Sequence, residues 1–287
     1  MNMLVNIAVN ILADPARTAA GSVALPQPPH AEFLGLRFCL LPRADVVRRI
    51  IEDGGTPYRY VVTPNAYHVV AAHEAPDRLL PIYRDAWLSL CDSRIVRALA
   101  RLERHALPLV TGSDLVAALL ATLNRPHNAK RILVVGPRRG VETALRAAYP
   151  NLNFDILPAP AGLSQNAELR LAVARACVHR QWDIVLLCVG CPAQEQIARH
   201  IAELGRTSGI ALCVGASIDF LTGARARAPL WVQQLSLEWA YRLLREPRRL
   251  WRRYLVESPK ILHIFVKERL GRAGSGAVNE LPHRRDV

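Results

Sequence analysis

Three polar side chains of this sequence directly follow apolar runs that have the composition of buried strands. Thr63 and Asn65 follow YRYVV, and Asp92 follows WLSLC. The carboxylate of Asp92 could act as a general base, because it could accept the proton of an attacking hydroxyl group. Thr63 and Asn65 offer a hydroxyl and an amide to ligand oxygens. All three also have a structural interpretation, since Thr, Asn and Asp commonly cap a following helix.

The segment GCPAQE brings further polar groups to the end of another apolar run, WDIVLLCVG. It combines Gly190 and Pro192 with two polar side chains at the start of a predicted helix. Gln194 and Glu195 could bind ligand hydroxyl groups. Glu195 also suits the positive N-terminal end of a helix, so a structural role stays open.

Two more polar turns follow the same pattern. In GSDL, Ser113 and Asp114 begin a predicted helix that runs to about Leu123, and capping by Ser113 is the favoured interpretation. In GASIDF, Asp219 is predicted to lie in a loop beyond a strand. Both turns add candidate ligand-binding residues to the set.

Three predicted strands end in glycine, at Gly136, Gly190 and Gly215. Glycine lets a ligand approach the backbone, and the N–H groups of the next helix can bind a phosphate. Tight packing of strand against helix explains the same glycines equally well. None of these turns matches G-x-G-x-x-G or the P-loop, which disfavours a nicotinamide-dependent dehydrogenase and a Walker-type nucleotidase.

The sequence has no convincing metal or cofactor motif. Its nine histidines form no HxxxH pattern, and no D-x-D motif is present. Cys188 and Cys191 form a CxxC, but no second CxxC accompanies it, and the cysteines stand mostly within apolar runs that predict buried thiols. We therefore predict no metal site, no cofactor and no disulfide framework.

A regular alternation of predicted strands and helices positions these candidate residues at the ends of strands. Near-continuous apolar strands such as WDIVLLCVG indicate a sheet that is covered on both faces. The alternation predicts an α/β fold with a mostly parallel, Rossmann-like sheet flanked by helices. Ligands of such sheets bind beyond the carboxyl ends of the strands, where the candidates stand.

The chain is strongly basic, and its charge is unevenly distributed. It has 37 Lys and Arg against 24 Asp and Glu, a net charge of +13, which favours anionic partners. We predict a flexible extension over 1–32, an α/β domain over 33–223, a basic helical C-terminal appendage over 224–270 and a disordered tail over 271–287. No apolar run reaches the roughly 18 residues of a spanning helix.

The C-terminal appendage interleaves arginine with aromatic residues. Arg242, Arg249 and Arg252 are spaced by 7 and 3, which places them along one face of a continuous helix. Aromatic residues beside arginine suit an anionic membrane surface. Nucleic-acid binding and a merely solvated basic helix are the competing interpretations. The neighbouring arginines and aromatic residues are Arg245, Arg248, Arg253, Trp231, Trp239, Tyr241, Trp251 and Tyr254.

At these residues the chain resembles the WecG/TagA/CpsF glycosyltransferase family, from about Leu34 to Leu270. The most specific block is VGASIDFLTGARARAPLWVQQLSLEWAYRLLREPRRLWRRYL, and TPNA, GSDL and GxPxQE stand at matching intervals upstream. The resemblance implies a metal-independent, inverting transferase that uses a UDP-sugar. It also implies a polyprenyl (undecaprenyl) diphosphate-linked saccharide as acceptor.

The resemblance also implies roles for individual residues. Asp92 is the implied base, and Gln194 falls at the family's pocket glutamine. Arg242, Arg249 and Arg252 match the appendage arginines that close over the diphosphate. A peripheral location on the cytoplasmic face of the bacterial inner membrane follows, with no nucleic-acid partner. The sequence leaves open whether the protein works as a monomer or as a homo-oligomer.

Two departures from the family pattern concern substrate identity. The family usually has Pro-Asp-Gly where this chain has Cys91-Asp92-Ser93, and GxPKQE is here GxPAQE, without the lysine. These differences, with the additional N-terminal extension, favour an exopolysaccharide branch over teichoic-acid synthesis.

Overall fold

The computed structural model of the protein describes residues 28–276, apart from 54, 227, 230–231 and 233–236. It begins with an antiparallel hairpin of β1 (His30–Phe33) and β2 (Leu36–Cys39). Leu34 and Gly35 form its two-residue turn, both with positive φ, as the right-handed twist of a hairpin favours. β1 thus starts inside the segment 1–32, which the sequence assigned to an extension.

The centre of the domain is a six-stranded sheet in the order β4-β3-β8-β7-β5-β6. Every strand pair in it is parallel. The inner strands are wholly buried because helices cover both faces, which confirms the predicted α/β class. The strands are β3 (Arg59–Val62), β4 (Leu88–Ser89), β5 (Arg131–Val135), β6 (Asn153–Leu157), β7 (Ile184–Leu187) and β8 (Ile210–Cys213).

Helices divide between the two faces of the sheet. One face carries α2, α3, α4, α7, α8 and the hairpin, and the other carries α1, α5 and α6. The sequence did not indicate α3, which contains two prolines. The helices are α1 (Arg43–Glu52), α2 (Ala66–Glu74), α3 (Pro76–Asp85), α4 (Arg94–Leu102), α5 (Gly112–Leu123), α6 (Val141–Ala148), α7 (Ala167–Val178) and α8 (Ala193–Glu203).

The connections of the sheet open a crevice at its carboxyl edge. β5 and β7 are neighbours, but the chain leaves β5 toward α6 on one face and leaves β7 toward α8 on the other. Ligands of open parallel sheets bind where neighbouring connections diverge in this way. The turns that begin at Gly136 and after Leu187 border this crevice.

The C-terminal appendage is helical and docks on the α/β domain. The short helix α9 (Ser217–Leu221) precedes it and contains Asp219, so the predicted loop at Asp219 is wrong. The appendage contains α10 (Glu238–Arg245), α11 (Pro247–Trp251), a π-helical segment (Arg252–Glu257) and α12 (Lys260–Gly276). α12 extends into the segment 271–287, which was predicted to be disordered. Trp231 lies outside the described residues.

Two apolar residues of α12 attach the appendage. Ile261 and Phe265 are buried in the same cluster as the hairpin, and the Phe265 ring lies 6.2 Å from that of Phe33. Lys260 adds an ion pair to Glu74 of α2. Among the described residues, no helix is both long and apolar enough to cross a bilayer.

Candidate functional site

Asp92 lies at the carboxyl edge of the sheet, beside the turn that follows β3. Its backbone N–H donates to the carbonyl oxygen of Pro64 at 3.1 Å. The cap of α4 is Ser93, whose Oγ accepts the N–H of Val96 at 3.2 Å. Capping therefore does not explain Asp92, which is partly exposed.

The surroundings of Asp92 hold its carboxyl near the midpoint of titration at neutral pH. Burial raises its pKa to about 7, and the negative charges of Glu238 and Asp114 act in the same direction. The backbone N–H of Gly112 and the guanidinium of Arg242 favour the ionised form and oppose that rise. A carboxylate whose pKa is close to the working pH is suited to general-base catalysis.

Thr63 binds the ends of two neighbouring strands together. Its buried Oγ1 donates to the carbonyl oxygen of Cys213 at 2.9 Å. Ser217 bonds in a similar way to Val214, at 2.6 Å. Gly112 is close to both hydroxyls, since a Cβ there would lie 3.1 Å from Ser217 Oγ and 3.4 Å from Thr63 Oγ1. This close packing brings the N-terminus of α5 against Asp92.

The N-terminus of α5 is capped by a residue other than the predicted one. Thr111 Oγ1 accepts the N–H of Asp114 at 3.1 Å, so the prediction that Ser113 caps this helix is wrong. Ser113 instead donates to Ser217 Oγ at 3.4 Å. Ser113 and Asp114 remain partly exposed beside Asp92.

Asn65 is both a helix cap and a contact of the C-terminal appendage. Its Oδ1 accepts the N–H of Tyr67 at 3.0 Å, so the capping interpretation is confirmed. The same oxygen lies 3.5 Å from an Nη of Arg253 in the appendage. Asn65 therefore connects the start of α2 to the arginines opposite it.

Gln194 and Glu195 are buried at the start of α8. Gln194 is 2% exposed: its Oε1 accepts the N–H of Gly215 at 2.9 Å, and its Nε2 donates to Glu195 Oε1 at 2.8 Å. Glu195 has no exposed surface. Both side chains are buried in this arrangement. Gln194 joins the start of α8 to the turn after β8 through the Gly215 N–H, and Glu195 accepts a hydrogen bond from Gln194.

The strand-end glycines have different environments. At Gly136, φ is 73° and a Cβ would lie 2.4 Å from Cγ1 of Val189, so tight packing explains this glycine. At Gly190, φ is 82° and a Cβ would have no atom within 4 Å, so the backbone is open to a ligand. Pro192 follows a cis peptide bond and precedes α8.

Asp219 orders the GPRRG turn after β5. Its Oδ1 accepts the backbone N–H of Arg138 at 3.2 Å, and its Oδ2 lies 3.7 Å from Arg138 Nε. Asp219 is largely buried, and its carboxylate oxygens are directed to Arg138, so it stabilises the conformation of this turn.

The three appendage arginines do not share one environment. Arg242 lies over the ring of Phe220 at 5.2 Å and is close enough to Asp92 to act on its pKa. Arg249 is exposed and pairs with Glu246, which also pairs with Arg225. Arg252 is 74% exposed and pairs with Glu257 at 3.1 Å, so its side chain is directed to solvent and to Glu257.

Arg253 instead contacts the residues at the sheet edge, although the sequence indicated it only as a neighbour of the three predicted arginines. Its guanidinium carbon lies 4.4 Å from the centre of the Tyr67 ring. The predicted spacing assumed a continuous α-helix, but Pro247 starts a new helix and residues 252–257 are π-helical, which changes the phase. The buried Nε atoms of Arg242 and Arg253 have no hydrogen-bond partner in the described part of the chain. Both donors suit an anionic ligand.

The site thus combines a titrating carboxylate with guanidinium groups that can bind an anion. Its members that are in mutual contact or electrostatic proximity are Asn65, Tyr67, Asp92, Gly112, Asp114, Glu238, Arg242 and Arg253. Such a set at the carboxyl edge of a parallel sheet suits an enzyme that transfers a group from an anionic donor.

Comparison with known families agrees with this class. The family model described as "Glycosyl transferase WecG/TagA/CpsF family" matches residues 31–275, and the chain belongs to this family. The family model thus confirms the family that the sequence resemblance predicted.

A curated relative gives a more specific comparison. The chain is 31% identical over 164 residues to the N-acetylglucosaminyldiphosphoundecaprenol N-acetyl-beta-D-mannosaminyltransferase of Bacillus subtilis (strain 168). The alignment covers 55% of this chain and 60% of that relative.

Proposed function

We propose that this protein is an inverting, metal-independent glycosyltransferase that moves a sugar from a UDP-sugar to an undecaprenyl-diphosphate-linked saccharide. The product would enter exopolysaccharide or related cell-surface glycan synthesis. The observation that carries the proposal is the Asp92 carboxyl at the sheet edge. Its pKa is raised to about 7, and it is close enough to Arg242 for the two charges to interact. The name of the Bacillus subtilis relative supports the lipid-linked acceptor.

Asp92 is the proposed general base. Its carboxylate accepts the proton of the acceptor hydroxyl while that oxygen attacks the anomeric carbon of the donor. The bond from that carbon to the diphosphate of UDP breaks on the opposite side, so the configuration at carbon inverts. With a pKa of about 7, roughly half of Asp92 is ionised at neutral pH.

The appendage supplies the proposed diphosphate contacts. Arg242 and Arg253 each have a buried Nε without a partner among the described residues, and they lie near Asp92 and Asn65, respectively. Guanidinium groups at these two positions can neutralise the charge that develops on the departing UDP. The open backbone at Gly190 gives the donor room to approach the crevice.

The same appendage carries the proposed membrane contact. Leu262, Val266 and Leu270 are exposed and follow at intervals of four along α12, so they form one apolar stripe. Ile261 and Phe265 are buried against the domain, which leaves the stripe facing outward. An exposed apolar stripe in a basic segment favours an anionic bilayer, here the cytoplasmic face of the inner membrane, over nucleic acid.

Transfer assays with membrane vesicles test the proposal. A panel of UDP-sugars is offered with vesicles that contain undecaprenyl-diphosphate saccharides, and UDP release is measured from pH 5 to pH 9. We expect vesicle-dependent release from one donor, with a rate that rises as the pH passes through about 7. Asp92→Asn should abolish it, since the amide cannot accept the proton. Full activity of a folded Asp92→Asn protein would overturn the assignment of the base.

A further inference from the structure

Three potential metal ligands converge behind Asn65. His68 is on α2, Cys191 is in the loop after β7, and Glu195 is on α8. One donor atom from each lies within 4.8 Å of the other two, and His68 Nε2 is 3.5 Å from Glu195 Oε1. The sequence indicated no such site because the three residues come from separate segments and only their packing joins them.

The hydrogen bonds of Asn65 determine how the His68 ring faces this cluster. Asn65 Oδ1 accepts the N–H of Tyr67, so this atom is an acceptor, and it also lies 2.8 Å from His68 Nδ1. A contact of that length requires a proton on Nδ1. The other contact of Nδ1, from the Asn65 backbone N–H, is longer at 3.3 Å. His68 Nε2 therefore directs its lone pair toward Glu195.

Two acceptor atoms of this cluster are buried without a donor. Glu195 is wholly buried and His68 is 5% exposed. His68 Nε2 and Glu195 Oε2 have no hydrogen-bond partner within the described ranges of the chain. Buried acceptors need a donor or a positive charge beside them, which can be the thiol proton of Cys191, a second proton on the imidazole, or a metal cation.

We propose that His68, Cys191 and Glu195 bind a divalent cation of the zinc type. A proton on Nε2 would compensate the carboxylate charge, and the Cys191 thiol would keep its 3.9 Å contact with the Tyr83 hydroxyl. The cation is favoured because ligand atoms of three different types converge within 4.8 Å of one another. Imidazole nitrogen, thiolate sulfur and carboxylate oxygen are together the ligand types that Zn²⁺ uses, with one position left for a fourth ligand. Binding replaces the thiol proton of Cys191, which is released to solvent.

The proposed ion has a positioning role. Bonds of about 2.0–2.3 Å bring ligand atoms to about 3.5 Å from one another, so the cluster must contract slightly on binding. The ion would then fix the start of α2, which carries Asn65 and Tyr67, against the loop at Gly190. Asp92 is outside the cluster, so the proposed proton transfer does not pass through the ion.

Metal analysis of the full chain tests the site, and the CxxC supplies a matched control. The purified protein is analysed for bound metal, and Zn²⁺ and Co²⁺ are each titrated into the metal-depleted protein, into Cys191→Ser and into Cys188→Ser. Cys188 Sγ contacts the carbonyl oxygen of Leu186 at 3.7 Å and is not part of the cluster. We expect one ion per chain and a thiolate-to-cobalt absorption band in the wild type and in Cys188→Ser. Cys191→Ser should lose the band and bind Zn²⁺ at least tenfold more weakly.

Thermal melting confirms that each variant is folded, and His68→Gln repeats the comparison if Cys191→Ser does not fold. Equal Zn²⁺ affinity of Cys191→Ser and the wild type, or no binding by the wild type, would overturn the proposal and leave a proton shared between His68 and Glu195. None of these measurements uses transferase activity, so the result is independent of the proposed function.

Discussion

The guanidinium carbon of Arg253 lies 4.4 Å from the centre of the Tyr67 ring, whereas the neighbouring Arg252 is 74% exposed and pairs with Glu257. Two consecutive arginines of the same π-helical segment thus have different surroundings. Only the second can meet a ligand between the appendage and the sheet edge. Substitutions of Arg252 and Arg253 can therefore be compared directly, because both remove one positive charge from adjacent positions and only the surroundings of the two side chains differ.

We predict that Arg253→Ala lowers kcat/KM for the UDP-sugar by at least tenfold, while Arg252→Ala changes it less than twofold. A tenfold loss corresponds to about 1.4 kcal/mol, within the range of one charge-assisted hydrogen bond to phosphate. Initial rates with vesicles and varied donor provide the measurement. A larger loss for Arg252→Ala would show that the appendage binds the ligand in a different register.

The arginine register illustrates a limit of the sequence. The intervals of 7 and 3 between Arg242, Arg249 and Arg252 indicate one face only if the helix is continuous. Pro247 interrupts it, because proline cannot donate the N–H that an α-helix interior requires. The proline was visible in the sequence, but the π-helical turn that follows depends on packing against α2. The spacing therefore included Arg253 among the basic residues of the appendage but did not distinguish it from its neighbours as the arginine beside Tyr67.

A second prediction concerns the effect of Asp92 on stability. Because its pKa is raised from 3.8 to about 7, the folded state binds more protons than the unfolded state between these values. The contribution of Asp92 to the free energy of unfolding is therefore most favourable below about pH 4. It falls as the pH rises toward 7 and does not change further above pH 7. Asp92→Asn should be more stable than the wild type at pH 8, by about 1–2 kcal/mol after allowance for solvent screening at a partly exposed site.

Urea denaturation at pH 5 and pH 8 measures this difference. We expect the advantage of Asp92→Asn to shrink between pH 8 and pH 5, together with the loss of transfer activity at both pH values. The comparison requires that the Gly112 N–H still donates to an oxygen at position 92. The amide group of Asn can take the orientation that places its oxygen there. An advantage that is the same at both pH values would mean that Asp92 titrates outside this range.

The fold itself could be predicted because its strands are so apolar. WDIVLLCVG and GIALCVG contain the buried strands β7 and β8, and helices on both faces leave few other arrangements. Contacts across the domain could not be predicted. Gln194 is of a residue type that often binds ligands. Only the structure shows that its amide oxygen accepts the Gly215 N–H at 2.9 Å, within the protein.

A third prediction separates two glycines that have nearly the same backbone conformation. Gly136→Ala should cost about 3 kcal/mol or more, because a Cβ would overlap Val189 at 2.4 Å in addition to the strain of a φ of 73°. Gly190→Ala has the strain alone and should cost about 1 kcal/mol. Denaturation of both variants gives the two values. Transfer assays should show that Gly190→Ala, although folded, has a raised KM for the donor, since its methyl group narrows the approach.

The last prediction concerns the exposed stripe of α12. Replacement of Leu262, Val266 and Leu270 by Gln should weaken binding to anionic vesicles at least tenfold, because each apolar side chain that enters the interface contributes about 1 kcal/mol or more. The free energy of unfolding should change by only about 0.5 kcal/mol per substitution, since the side chains are exposed in the folded protein. Vesicle co-sedimentation measures the first quantity and urea denaturation the second. Donor affinity of the triple variant in the absence of vesicles should equal that of the wild type, because the three side chains are exposed and are not among the residues proposed to bind the donor. Unchanged vesicle binding would instead assign membrane contact to another surface, such as the exposed Leu244 and Trp251.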